Sequence, residues 1–222
     1  MSINRQSSFW GSHSPLGGLA GAGLLIMASA RLSWAITVAG SLIFVYGLSS
    51  FSYTFLANII GGKFFPNRGK KSVYSCISCF WGTIYLFLFW LLCPFAAIEV
   101  FFLLMLVPLY CANCTVAIQI SLLKNTNKTN IDISEYVTQA LSQAAVLSVL
   151  IIAFSILREP LSYCSLTFPG TYQGMITIMY FNENAFFPIG IFSSSAGALL
   201  LLGFITCLYQ YTRSNIFPGE TK

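Results

Sequence analysis

The chain has 222 residues, 56% of them hydrophobic and only 8% charged, with a formal net charge of +5 and a mean hydropathy of +0.76. A soluble domain carries roughly 25% charged residues, so this composition excludes a water-covered globule and predicts a polytopic helical protein embedded in a lipid membrane. The basic residues sit in short stretches between apolar runs rather than on one face, so no nucleic-acid partner is expected. Seven cysteines with little polar sequence around them do not read as a secreted disulfide scaffold. His13 is the single histidine, which argues against His-based metal or acid–base chemistry.

In chain order, the polar head Met1 to Ser14 precedes a Gly-rich apolar run, Pro15 to Ala30, that is marginal as a full span. Its end, Ala28-Ser29-Ala30, also fits a signal-peptide cleavage site. Leu32 to Ile60 is long enough for a tilted span. A basic turn, Gly61 to Ser72, follows with Lys63, Arg68, Lys70 and Lys71, and then an aromatic-rich third span, Val73 to Cys93. Its aromatics are read as lipid-facing belt and packing. Pro94 marks its end, and Glu99 sits near a very short link.

The fourth apolar run, Phe101 to Ile120, is interrupted by Val107 to Ala117, which holds Pro108, Cys111, Asn113 and Cys114. A buried helix has no packing need for a proline, an asparagine and two thiols so close together. Broken helices at membrane depth line sites rather than face lipid, so a break is expected here. Lys124 to Glu135 is a hydrophilic loop and Tyr136 to Leu157 a fifth span. Arg158 to Phe187 is the longest stretch outside the spans, with a mildly apolar segment from Met175 to Phe181. Pro188 to Tyr211 is the sixth span, and Thr212 to Lys222 a polar tail.

The expected fold is therefore all-α: one integral-membrane domain of six transmembrane segments. They fall into two inverted three-helix repeats, 15–93 and 94–211, whose first and fourth segments are broken. Six crossings gather Arg5, Lys63, Arg68, Lys70, Lys71, Lys124, Lys128, Arg213 and Lys222 on one side and leave Arg31 and Arg158 on the other. The positive-inside rule then makes both termini, the head 1–14 and the tail 212–222, cytoplasmic.

Two C-x-x-C pairs, Cys76/Cys79 and Cys111/Cys114, fall in or at apolar segments. At about 1.5 Å per helical residue their depths are compatible, so one reading is a four-thiol metal site. The other is small buried residues on packed helices, the usual state of a free cysteine. Arg158-Glu159 reads either as an interface anchor with a local ion pair or, with Glu99, as part of an ion path. The glycines Gly17, Gly18, Gly21 and Gly23 form no phosphate loop, since no strand and no Lys-Ser/Thr follow. No Ser–His–Asp or Cys–His set supports a hydrolase.

Three stretches resemble the small six-helix membrane subunits of the Rnf and Nqr redox-driven ion pumps, closest to the D/E type. They are Pro108 to Val116, Leu157-Arg158-Glu159-Pro160-Leu161 with Ser165-Leu166, and Ser193 to Leu199 leading into Leu202-Gly203-Phe204. Trp10-Gly11, Ala35-Ile36-Thr37 and Gly47 to Phe51 are fainter parallels. The resemblance implies a subunit in a bacterial inner membrane, without activity of its own. Its complex would couple NADH or ferredoxin oxidation to Na⁺ or H⁺ movement, together with a homologous six-helix subunit and the other Rnf/Nqr subunits. It also implies a 2Fe–2S cluster shared with that homologue, with Cys114 as a ligand and Asn113 shaping the break beside it. The family's other cysteine falls on Gly23, or in a competing register on Lys63, and neither is a thiol. The alternative implied by that departure is a diverged, cluster-free paralogue acting as a small transporter or assembly subunit. An unrelated inverted-repeat transporter is a third reading.

Overall fold

A computed structural model of the chain describes residues 19–60, 69–125, 133–170, 174–181 and 189–216. Among them are six α-helices: α1 (Leu19–Ala28), α2 (Leu32–Ile60), α3 (Gly69–Leu92), α4 (Pro94–Asn125), α5 (Ile133–Tyr163) and α6 (Ser195–Ile216). Two short strands, β1 (Ser165–Pro169) and β2 (Met175–Tyr180), and a 3-10 turn, Gly190–Ser193, lie between α5 and α6. Four helical stretches are long and apolar enough to cross a membrane: Leu32–Leu56, Ser72–Leu92, Pro94–Cys111 and Val137–Tyr163. The protein is thus mostly helical and built for a bilayer. The described part of α1 covers 10 residues, about 15 Å. In α6 only Ser195–Leu208 forms an apolar run.

The core lies where α2, α4 and α5 meet, around Leu42, Val45 and Tyr46, Val100, Leu104 and Val107, and Leu147 and Ile151. Helices α2 and α5 run antiparallel. Leu32 N–H meets Glu159 at one end (2.7 Å), Ser148 Oγ donates to the Ala39 carbonyl midway (3.2 Å), and Gly47 faces Leu141 at the other end. Helix α3 is peripheral, with 11% of its span buried. Its inner face meets α2 through aromatics: Trp81 Nε1 donates to Ser52 Oγ (2.9 Å) and Tyr85 OH to the Thr37 carbonyl (3.2 Å). Phe80, Phe87 and Trp90 point outward, as a lipid-facing belt requires.

Several expectations from the sequence need correction. The fourth segment is not broken: α4 is helical from Pro94 to Asn125 with Pro108 inside it. A proline within a helix removes one backbone bond and crowds the preceding turn, and helices at membrane depth tolerate this when neighbours compensate. The carbonyl freed by the missing Pro108 N–H belongs to Leu104, and what α3 accommodates is the proline ring itself. Ser78 Oγ donates to the Pro108 carbonyl (3.2 Å), and Gly82 makes room, since a Cβ there would overlap the Pro108 ring. The fifth segment does not stop at Leu157 but continues through Pro160 to Tyr163.

The mostly helical fold is consistent with the all-α expectation, and it carries one added hairpin. Strands β1 and β2 pair antiparallel, Phe168 opposite Ile176 and Ser165 opposite Tyr180, with a bulge between Leu166 and Thr167. The hairpin opens from Cys164 (φ 51°), which adopts the left-handed conformation that ends α5. Gly174 (φ 75°) starts β2, and its carbonyl accepts from Gly170 N–H (2.6 Å). The apolar Met175–Phe181 run, short and rich in β-formers, becomes a strand because it is too short to span and has β1 beside it.

Candidate functional site

The turn between the first and second apolar segments is where the chain concentrates buried charge. Helix α1 stops at Ala28 and α2 starts at Leu32. Such a stop leaves carbonyls at the end of α1 and N–H groups at the start of α2 without helical partners. Arg158 and Glu159, adjacent on α5 and only 2% and 0% exposed, supply those partners.

All five N–H groups of the Arg158 guanidinium are used. Nη1 donates to the Ile26 carbonyl (2.6 Å) and to Ser29 Oγ (3.0 Å), both at the end of α1. Nε donates to the Phe192 carbonyl (2.8 Å), and Nη2 to those of Ser193 (3.0 Å) and Ser194 (3.1 Å), at the entry to α6. Ser194 in turn caps α6, its Oγ accepting from Gly197 N–H (3.1 Å). Gly197 is required there because a Cβ would overlap the Ile191 carbonyl.

The Glu159 carboxylate faces the other way. Oε2 accepts from Leu32 N–H (2.7 Å), at the first residue of α2, and Oε1 from Thr167 N–H (3.0 Å) and Thr167 Oγ1–H (2.6 Å) on β1. The expected local ion pair is therefore not what holds these two residues. The cation sits at a helix C-terminus and the anion at a helix N-terminus, each matching the sign of the local backbone dipole. One Arg-Glu dipeptide fixes α1, α2, α6 and the hairpin to α5. Arg31, in the turn between α1 and α2, adds a contact from Nη1 to Met175 Sδ (3.0 Å), with its guanidinium 5.4 Å from the Tyr163 ring centre.

The other candidate residues fall elsewhere. Glu99 is exposed near the start of α4, its carboxylate beside Gly174 of the hairpin and outside the hydrogen bonds of the Arg158–Glu159 cluster. Cys76 and Cys79 are exposed on α3, whereas Cys111 is buried on α4. Gly23 lies on α1 with nothing within 4 Å of where a Cβ would be. The Asn113 and Cys114 side chains, Lys63, the head and residues 217–222 lie outside the described residues, while residues 212–216 of the expected tail continue α6. Among the described residues no group of three or more His, Cys, Asp or Glu could hold a metal ion.

The partners Ser29 and Thr167, and the carbonyls before α6, are the part of the site that sequence reasoning missed. Only Ser29 carried a signal, as a polar residue at the end of a short apolar run. No protein-family model, curated protein or solved structure matches the chain.

Proposed function

We propose that the chain is a membrane subunit of an Rnf/Nqr-like, redox-driven ion-translocating complex, of the D/E type. The observation that supports this reading is the convergence at Arg158. Two of the stretches that carry the resemblance, Leu157 to Leu161 and Ser193 to Leu199, meet there, and the same arginine caps the end of α1. The six-crossing arrangement as two inverted repeats belongs to the same proposal, as does placement in a bacterial inner membrane. In the orientation proposed, Lys63, Arg68, Lys70, Lys71, Lys124 and Lys128 flank the α2–α3 and α4–α5 connections, at the end opposite Arg158, and face the cytoplasm. Purification of the tagged chain from its native membrane in mild detergent is expected to bring down a homologous six-helix chain and redox subunits. Recovery of the chain alone, with its fold intact, would overturn the proposal.

A second reading, a cluster-free paralogue working as an assembly subunit or small transporter, is favoured by Gly23, where the family's thiol is missing although space exists for one. Iron and acid-labile sulfide analysis separates the two. A complex that contains no iron at this subunit, and gains none in Gly23→Cys, supports the paralogue. Iron that disappears in Cys114→Ser supports a shared cluster.

A further inference from the structure

An antiparallel hairpin on a protein in water turns its apolar face inward and its polar face outward. The β1–β2 hairpin does the reverse. Residues two apart on a strand share a face, as do residues directly opposed on paired strands. Leu166 and Phe168 of β1 therefore share one face with Met179 and Ile176, their partners on β2, and Ile178 follows Ile176 by two. Thr167 pairs with Thr177, and Pro169 with Met175, on the other face. That second face is the one turned to the bundle, where Thr167 donates to Glu159 and Met175 meets Arg31. The apolar face looks away from the bundle, with Phe168, Ile176, Ile178 and Met179 each 45–60% exposed.

No residue from Leu161 to Phe181 is charged, although charge is the usual means of keeping a sheet in water from pairing with other chains. The hairpin is also held too low to stand clear of the bilayer. At one end Thr167 bonds to Glu159, four residues inside the candidate span that stops at Tyr163. At the other end Gly174 lies beside Glu99, five residues inside the candidate span that starts at Pro94. At 1.5 Å per helical residue both anchors lie about 6–8 Å in from the span ends, about the thickness of one interfacial layer of a bilayer. Strand β2 pairs on one side only, with β1. The hydrogen-bonding groups of its other edge need water or headgroups, which the interface supplies and the hydrocarbon core does not.

We propose that the face formed by Leu166, Phe168, Ile176, Ile178 and Met179 rests in bilayer lipid, at the boundary between headgroups and acyl chains in the leaflet at the Arg158 end. Lipid already wets the bundle at that level: Ile156 and Leu157 near Glu159, and Phe95 and Ile98 near Glu99, are exposed within the candidate spans. Tyr180 pairs with Ser165, on the face opposite the apolar one, and stays in water. The hairpin is thus a lipid-seated anchor rather than an aqueous loop. This contact needs only a membrane-embedded bundle and does not depend on the redox reading.

The test is photocrosslinking of the full chain in its native membrane, with p-benzoylphenylalanine placed at Ile178 and, for comparison, at Tyr180. Mass spectrometry after ultraviolet exposure is expected to show a phospholipid adduct at Ile178, several-fold more abundant than at Tyr180. No lipid adduct at Ile178, a protein adduct as the main product there (another chain or a second copy), or equal lipid yields at the two positions would overturn the proposal. A second readout keeps the native side chain sizes closer. Ile178→Cys and Tyr180→Cys are spin-labelled in nanodiscs, in a background whose native cysteines are replaced. Collisions with dissolved oxygen should exceed those with a water-soluble nickel chelate at 178, and the order should reverse at 180. Nickel dominating at both positions, or neither reagent reaching 178, sinks the lipid contact.

Discussion

Arg158 and Glu159 are held by what each touches rather than by each other, and substitutions should reveal this. Lysine has three N–H donors against five for arginine. Arg158→Lys therefore leaves at least two of the five acceptor oxygens unbonded, and a stability loss of roughly 2–4 kcal/mol is expected. Glu159→Gln keeps the shape but replaces one accepting oxygen with a donor, so it should cost about 1–3 kcal/mol, because either the Leu32 or the Thr167 donors lose their acceptor. The combined exchange Arg158→Glu with Glu159→Arg discriminates most sharply. A local ion pair would survive it, whereas charges matched to the ends of α1 and α2 become mismatched at both. The swap is expected to be at least as destabilising as Arg158→Lys in thermal unfolding, and wild-type stability would refute the dipole argument. The charged pair itself was legible in the sequence as the one Arg-Glu in an apolar region. Its partners were not, because four of Arg158's five acceptors are backbone carbonyls more than 30 residues away, and carbonyls carry no residue signature.

Between elements, the packing of α3 on α4 rests on the absence of a side chain at Gly82. Gly82→Ala forces a methyl against the Pro108 ring and should cost about 1–3 kcal/mol. Gly23→Ala meets nothing within 4 Å and is expected to leave unfolding unchanged. The hairpin hangs from Glu159 through Thr167. Thr167→Val deletes the hydroxyl donor while keeping the branched shape, and hydrogen exchange in β1 and β2 should quicken while the protection of α2 and α5 persists. Equal loosening of the helices would mean that the hairpin is not a separate unit. The lesson of Pro108 lies here too. Read alone, a proline, an asparagine and two cysteines announce a broken helix, but the opposing helix left the space for the Pro108 ring and α4 continues. The hairpin escaped notice for the converse reason: Met175 to Tyr180 has the composition of a strand, and its partner β1 sits just after a proline-bearing charged stretch that looked like linker.

For the molecule as a whole, antiparallel packing puts the start of α2, the end of α3, the start of α4 and the end of α5 at the end that holds Arg158, and the basic connections at the other. The charge count was readable from the sequence alone, because orientation depends on Lys and Arg numbers rather than on contacts. The number of full crossings was less legible, since helices that pass through a bilayer and helices that end within it differ in length but hardly in composition. Orientation can be tested by cysteine labelling in a background whose native cysteines are replaced. Tyr180→Cys, at a position 81% exposed on the hairpin, should react with a membrane-impermeant maleimide in intact cells. Asn67→Cys, in the basic connection, should react only after permeabilisation. The reverse pattern would invert the proposed orientation.

The joint between α3 and α4 has a consequence for how the protein is made. Only Cys93 separates the two helices, its N–H bonded back to Phe89 (2.8 Å) and its carbonyl forward to Ala97 (2.9 Å). With so little chain between them, the ribosome releases the second span almost as soon as the first is complete. Neither helix can settle while the other waits outside, so residues 69–111 should enter the bilayer as one helical hairpin, with Gly82 already against Pro108 when the rest of the bundle arrives.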